Sequence, residues 1–177
     1  MKKSLAATAF SLVELTLALG LAAFCLLTVF ALIPIAAMTN RSATSQTIAT
    51  NIAALAVADL RAAKTASFML GIIIPTDPTS LPQFNPPNVV PCSGTQTSAA
   101  SQVRYFDAQG QIYAVFSPNA NPPLLYRLIV TFEKNTAATA TTGAMYVNVK
   151  VTWPAAVDPC AVTPGGSVQM FTALDRN

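Results

Sequence analysis

At 177 residues the chain has room for one domain and an additional segment, and it is 53% apolar but only 10% charged. A soluble domain carries about 25% charged residues, so part of this sequence is suited to a non-aqueous environment. Part of the +3 net charge comes from Lys2, Lys3 and Arg176 at the two ends, which leaves no clustered basic patch for nucleic acid. Histidine is absent, removing the commonest general base, metal ligand and physiological-pH switch together.

In chain order, the first element is a long apolar run. Residues 15–38 carry no charge, and their only hydroxyls are Thr16 and Thr28. About 20 apolar residues in a helix cross a hydrocarbon core of roughly 30 Å, so a tilted single span is expected. Lys2 and Lys3 before it favour a cytoplasmic N-terminus, which puts residues 41–177 outside the cytoplasm. A secretory signal peptide has a shorter apolar stretch and a small-residue cleavage site, and Ala36-Ala37-Met38 suits that poorly. A plain signal anchor fits the length but leaves Glu14 without a purpose, although a carboxylate at the membrane edge is costly and points to function.

The stretch Ala9-Phe10-Ser11-Leu12-Val13-Glu14-Leu15-Thr16 resembles the processing site of type IV prepilins and type II secretion pseudopilins. In that family a short basic leader ends in a small residue, usually Gly, and the mature chain begins with Phe and has Glu at its fifth position. The resemblance implies a leader of residues 1–9, cleavage by prepilin peptidase between Ala9 and Phe10, N-methylation of Phe10, and a role in subunit register for Glu14. Ala9 stands where the family has Gly; alanine keeps the position small, so processing is expected to continue, more slowly. The family's glutamate is thought to meet the N-terminal ammonium of a neighbouring subunit. Among packed apolar helices an unpaired charge costs several kcal/mol, and pairing offsets much of that, so the pair would set axial register. The plainer reading is that Glu14 rests among lipid headgroups.

Pro34 removes one helical hydrogen bond and kinks or loosens the helix, which spans tolerate when neighbours compensate. Equally, it marks the membrane exit, because Thr39, Asn40 and Arg41 follow. Cys25 is expected to pack as a small apolar residue. Residues 42–68 contain no Pro or Gly, and their alanine content favours continuation of the helix. Ile48, Ile52, Leu55 and Leu60 can share one face, with Asp59, Arg61 and Lys64 read as solvated.

From residue 71 to 101, Pro75, Pro78, Pro82, Pro86, Pro87 and Pro91 exclude a regular element and predict a long connection. Strand signals follow. Residues 103–106 and 111–116 flank Asp107-Ala108-Gln109-Gly110, a hairpin turn. Residues 124–133 are apolar and β-branched. Residues 145–153 alternate, with Met145, Val147, Val149, Val151 and Trp153 on one face. Pro164-Gly165-Gly166 reads as a turn before a last strand over 167–174. The expected fold is α+β and pilin-like: a long N-terminal helix, transmembrane in its first half, packed on a C-terminal antiparallel sheet. Its parts are the leader (1–9), the transmembrane and assembly helix (10–38), its amphipathic continuation (39–70), the proline-rich connection (71–101) and the sheet domain (102–177).

Cys92 and Cys160 are a disulfide candidate in an extracytoplasmic domain, and closing a loop of that length would contribute roughly 4 kcal/mol; two free buried thiols are the alternative. Two thiols without histidine are too few for a metal site. The pieces Arg104-Tyr105-Phe106-Asp107-Ala108-Gln109-Gly110, Val151-Thr152-Trp153-Pro154-Ala155 and Phe171-Thr172-Ala173-Leu174 look like the Verru_Chthon cassette protein B family of pilin-like proteins. In physical terms Asp107 and Gly110 are turn residues and Trp153 a core anchor.

No catalytic group is expected. The acidic residues are scattered, and Ser93 and Ser117 have no histidine to activate them, with a serine–lysine arrangement left open. The expected function is a structural, minor subunit of a type IV pilus-like or type II secretion pseudopilus-like filament. Its partners would be the inner membrane, prepilin peptidase and other pilin subunits, with no cofactor, metal, nucleic acid or small-molecule substrate. The rival reading is a membrane-tethered extracytoplasmic binding module that does not polymerise.

Overall fold

The computed structural model describes residues 11–63, 69–76, 81, 100–134, 144–159 and 161–175. The chain divides into two compact units, Met1–Ala43 and Thr44–Asn177. Helix α1 runs over Leu12–Ala62 and is followed by β1 (Ser101–Asp107), β2 (Ile112–Tyr113), β3 (Leu124–Glu133), β4 (Met145–Trp153) and β5 (Gly166–Leu174). The layout is therefore α+β, one long helix and then one sheet.

The sheet is antiparallel throughout, in the order β2-β1-β3-β4-β5. The bounds of β3 coincide with the apolar, β-branched run expected after Pro122-Pro123, and those of β4 with the alternating run expected before Pro154. On the helix-facing side, Leu128, Val130 and Phe132 of β3 meet Met145, Val147, Val149 and Val151 of β4, all at zero exposure. Complete burial of such side chains contributes about 1.5–3 kcal/mol each, which makes this pair the centre of the sheet unit.

Several expectations change in three dimensions. The buried face of α1 consists of Ala49, Ile52, Ala53, Ala56, Asp59 and Leu60, whereas Leu55 is 40% exposed. The helix is turned toward its alanines. Leu55, roughly a quarter turn or more from Ala53 and Ala56 at 100° per residue, falls outside that face. Asp59 is likewise buried and not solvated: its carboxylate accepts hydrogen bonds from the Met69 (3.1 Å) and Leu70 (3.1 Å) amides. That capture returns the chain toward the sheet, and α1 ends at Ala62, short of residue 68. Arg61 remains exposed but donates to Thr172 Oγ1 of β5 at 2.8 Å. Lys64 lies outside the described residues.

The returning segment lies beside β1. Arg104 Nε donates to the Leu70 carbonyl at 2.7 Å, and Ile73 N donates to Gln102 Oε1 at 3.0 Å. Burial lowers the Arg104 pKa from its ordinary value, and carbonyl acceptors compensate the guanidinium there. Among the described residues between α1 and β1 there is no helix or strand. The β1–β2 hairpin is shorter than expected on its second side, where only Ile112 and Tyr113 pair. Its turn is organised by Asp107, fully buried, whose Oδ1 accepts from Gln109 N and Gln111 N, both at 2.9 Å. Gly110 supplies the left-handed residue at φ 82°, a conformation glycine adopts without steric cost. Burial, and then the neighbouring Asp107 carboxylate, raise the pKa of the Tyr113 phenol.

Gly166 is the first residue of β5, not part of the preceding turn. It pairs with Trp153, and a Cβ at this position would overlap the indole ring. Trp153 thus lies across a glycine while its ring meets Tyr126 edge-on at 6.4 Å. Replacing Gly166 with Ala is expected to destabilise the fold by about 1–3 kcal/mol, the usual cost of overpacking. In a Trp153→Ala background the same change should cost little, and urea unfolding of the four proteins of this cycle checks both statements.

The face of β4 away from the helix is also less open than simple alternation implies, since Asn148 and Thr152 are buried. Glu133, at the end of β3, is buried on this same face, and desolvation raises its pKa above the ordinary carboxylate value. Because burial opposes ionisation, Glu133 weakens the folded state as pH rises from its unfolded to its folded pKa, and the penalty is complete above the latter. Glu133→Gln is expected to be more stable than the parent at pH 7. The difference should vanish as pH falls below the unfolded carboxylate value, as thermal melts across the range would show.

Candidate functional site: the N-terminal helix

Ser11 stands just before α1, and its carbonyl accepts from Glu14 N at 3.0 Å and Leu15 N at 3.2 Å. Ser11-Leu12-Val13-Glu14 has the spacing of a capping box, serine before the helix and glutamate at its third position. Glu14 occupies the first turn and is exposed, and the helix dipole favours a carboxylate there. The carboxylate therefore has a local reason to lie at this end of the helix, independent of any neighbour.

Beyond Glu14, the large apolar side chains from Leu15 to Met38 point outward all round the helix, with exposures between 53% and 74%. A helix apolar on every side calls for an apolar environment on every side. The hydroxyls in this stretch turn inward on the backbone: Thr16 Oγ1 donates to the Val13 carbonyl at 2.9 Å and Thr28 Oγ1 to the Cys25 carbonyl at 2.7 Å. No polar side chain between Glu14 and Thr39 then seeks a partner laterally. This is what a non-aqueous setting requires of backbone and side chains alike. Among the described residues, this one helix is long and apolar enough to cross a membrane.

Pro34 lies inside α1, which continues past it to Ala62. It offers no N–H to the Phe30 carbonyl, and Thr39 Oγ1 donates to the Ile35 carbonyl at 2.9 Å just beyond. Cys25 is a free, exposed thiol within the apolar stretch. Ala9, Phe10, Cys92 and Cys160 lie outside the described residues. Of the sites singled out in the sequence, the structure thus places Glu14 and Pro34 on one continuous helix.

A second polar grouping, absent from the sequence reading, lies on the sheet face away from α1. Arg127, 7% exposed, donates to the Val157 carbonyl at 3.2 Å and the Tyr105 hydroxyl at 3.3 Å. It also faces Asp158 at 3.5 Å, with its guanidinium over the Tyr105 ring. Nothing in the linear sequence joins these residues; the β1–β3 register and the chain after β4 bring them together. No group of three His, Cys, Asp or Glu side chains capable of holding a metal ion occurs among the described residues.

In comparison with known proteins, the chain matches no family model, no curated protein and no solved structure. Replacing Leu26 and Leu27 together with Lys is expected to raise the cost of membrane insertion by roughly 5–7 kcal/mol, at about 2.5–3.5 kcal/mol for each mid-helix charge. Alkaline carbonate extraction should retain the parent chain in the membrane pellet and release a large part of the variant.

Proposed function

We propose that the chain is a minor structural subunit of a type IV pilus-like or type II secretion pseudopilus-like filament, in the manner of the Verru_Chthon cassette protein B family it resembles. The observation that carries this reading is α1. Its first part is apolar on all sides, with a single carboxylate at its lip, and its last four turns bury an alanine-rich face under an antiparallel sheet. A helix of that kind can rest in lipid before assembly and pack among the helices of neighbouring subunits afterwards, since both surroundings are apolar.

On this reading prepilin peptidase cuts between Ala9 and Phe10 on the cytoplasmic side, Phe10 is N-methylated, and the sheet unit lies outside the cytoplasm until the subunit enters a filament. Glu14 then sits at the fifth position of the mature chain and pairs with the N-terminal ammonium of a neighbour. Desolvating both charges makes the pair worth little as net stabilisation but makes a mismatched register costly. Pro34 eases local adjustment of the helix during packing.

Mass spectrometry of the N-terminus of the native protein tests the class: a chain beginning at N-methylated Phe10 is expected, and an intact Met1 would sink it. Filament assembly tests the role of Glu14. Glu14→Ala and Glu14→Gln should both lose co-purification with partner pilins by tenfold or more while remaining membrane-bound. Normal assembly of both variants would refute the register role. A processed chain that never co-purifies with other subunits would favour a tethered binding module.

A further inference from the structure

Among the described residues, four buried side-chain atoms have no hydrogen-bond partner: Arg127 Nε, Glu133 Oε1, Asn148 Nδ2 and Thr152 Oγ1. They are not scattered. Arg127 and Glu133 belong to β3, and Asn148 and Thr152 to β4. Arg127 pairs with Thr152 and Thr131 with Asn148, while Glu133 is two pairs further along, opposite Tyr146. These residues alternate with Leu128, Val130, Phe132, Val147, Val149 and Val151, which form the core under the helix. All four therefore project from the opposite face, and together with Thr131, also buried, they form a polar seam in two parts, Arg127 with Thr152 and Thr131 with Asn148 and Glu133, with the Ile129–Lys150 pair between them.

Orphaned atoms in such a row each bear their desolvation without return, and native proteins seldom leave them so. The chemistry of the four limits what can meet them. Arg127 Nε and Asn148 Nδ2 only donate, an ionised Glu133 only accepts, and Thr152 does either. An anion would suit Arg127 but not Glu133, and the Arg127 charge already faces Asp158 at 3.5 Å. A cation would suit Glu133 but not Arg127 or the Asn148 amide. A small neutral group that donates and accepts suits every position. The Asn148 amide is oriented for this, since Gln169 Nε2 donates to its oxygen at 3.0 Å and leaves its nitrogen to the seam.

We propose that the β3–β4 face away from the helix holds internal water: one site bridging Arg127 Nε and Thr152 Oγ1, and a second serving Glu133 Oε1 and Asn148 Nδ2. The first pair are direct cross-strand neighbours and the second are diagonal ones, spacings that a bridging molecule spans more readily than a direct bond. Globular proteins hold about one buried water per 27 residues, usually with two to four polar partners, so two sites in this unit fall within the ordinary number. The seam also works against register slip: moving β4 by one residue would turn Asn148 and Thr152 toward the apolar core.

Oxygen-17 magnetic relaxation dispersion on the full chain in detergent counts long-lived internal waters. Thr152→Val, close to isosteric, should lose about one such water relative to the parent and lower the urea midpoint, while Thr152→Ser, which keeps the hydroxyl, should retain the water. A raised midpoint in Thr152→Val would mean that the hydroxyl is buried bare and would overturn the proposal. A lowered midpoint with an unchanged water count would overturn it too, because the hydroxyl would then be bonded by protein.

Discussion

The contact on which the sheet unit depends is the one between the alanine face of α1 and the valine-rich rows of β3 and β4. Ala49, Ala53 and Ala56 are fully buried there, as are Val130, Val147, Val149 and Val151. Alanine buries little area by itself, and Ile52 and Leu60 on the same helix face supply the larger side chains of this layer. The other features are arranged around this layer. Asp59 binds the amides that follow the helix, Arg61 reaches Thr172 on the edge strand, and Arg104 holds the returning chain beside β1. Each of these polar contacts is formed at the rim of an apolar layer and keeps it closed.

The same helix meets a different demand in the Met1–Ala43 unit. Apolar side chains surround it there, and its threonines bond back to its own carbonyls. A helix satisfies its backbone within one segment, which is why it is one of the two structures able to meet an apolar solvent on all sides. The Ser11 carbonyl, which accepts from the Glu14 and Leu15 amides, and the first-turn position of Glu14 mark its polar end. The change from leucine-rich to alanine-rich composition along α1 separates a stretch that is apolar on all sides from one that buries a single face.

The sheet's two faces follow different rules. Toward the helix, chemistry is uniform and any aliphatic side chain of suitable volume would serve. On the other face, Arg127, Glu133, Asn148 and Thr152 are buried polar groups whose cost makes them specific. Linear alternation predicts that such residues meet solvent. It cannot predict their burial, because burial depends on what lies over the sheet and not on strand period.

Much of the architecture was legible in the residues. The apolar run at 15–38, the bounds of β3 and β4, the Asp107–Gly110 turn and the α+β order all follow from periodicity and turn chemistry, which are local properties of the chain. Glu14 stood out because a charge at the edge of an apolar run is conspicuous in one dimension. Other features were illegible because they are relations between distant residues: the buried role of Asp59, the exposure of Leu55, the dependence of Trp153 on Gly166, and the gathering of Arg127, Tyr105 and Asp158. The sequence alone determined which segments must be helix or strand and which stretch needs an apolar environment, since local propensity and hydrophobic period decide both. Only the tertiary structure decided which face of α1 is buried and which polar side chains are withdrawn from water, because those outcomes depend on closeness of packing, and packing is decided by partners far apart in the chain.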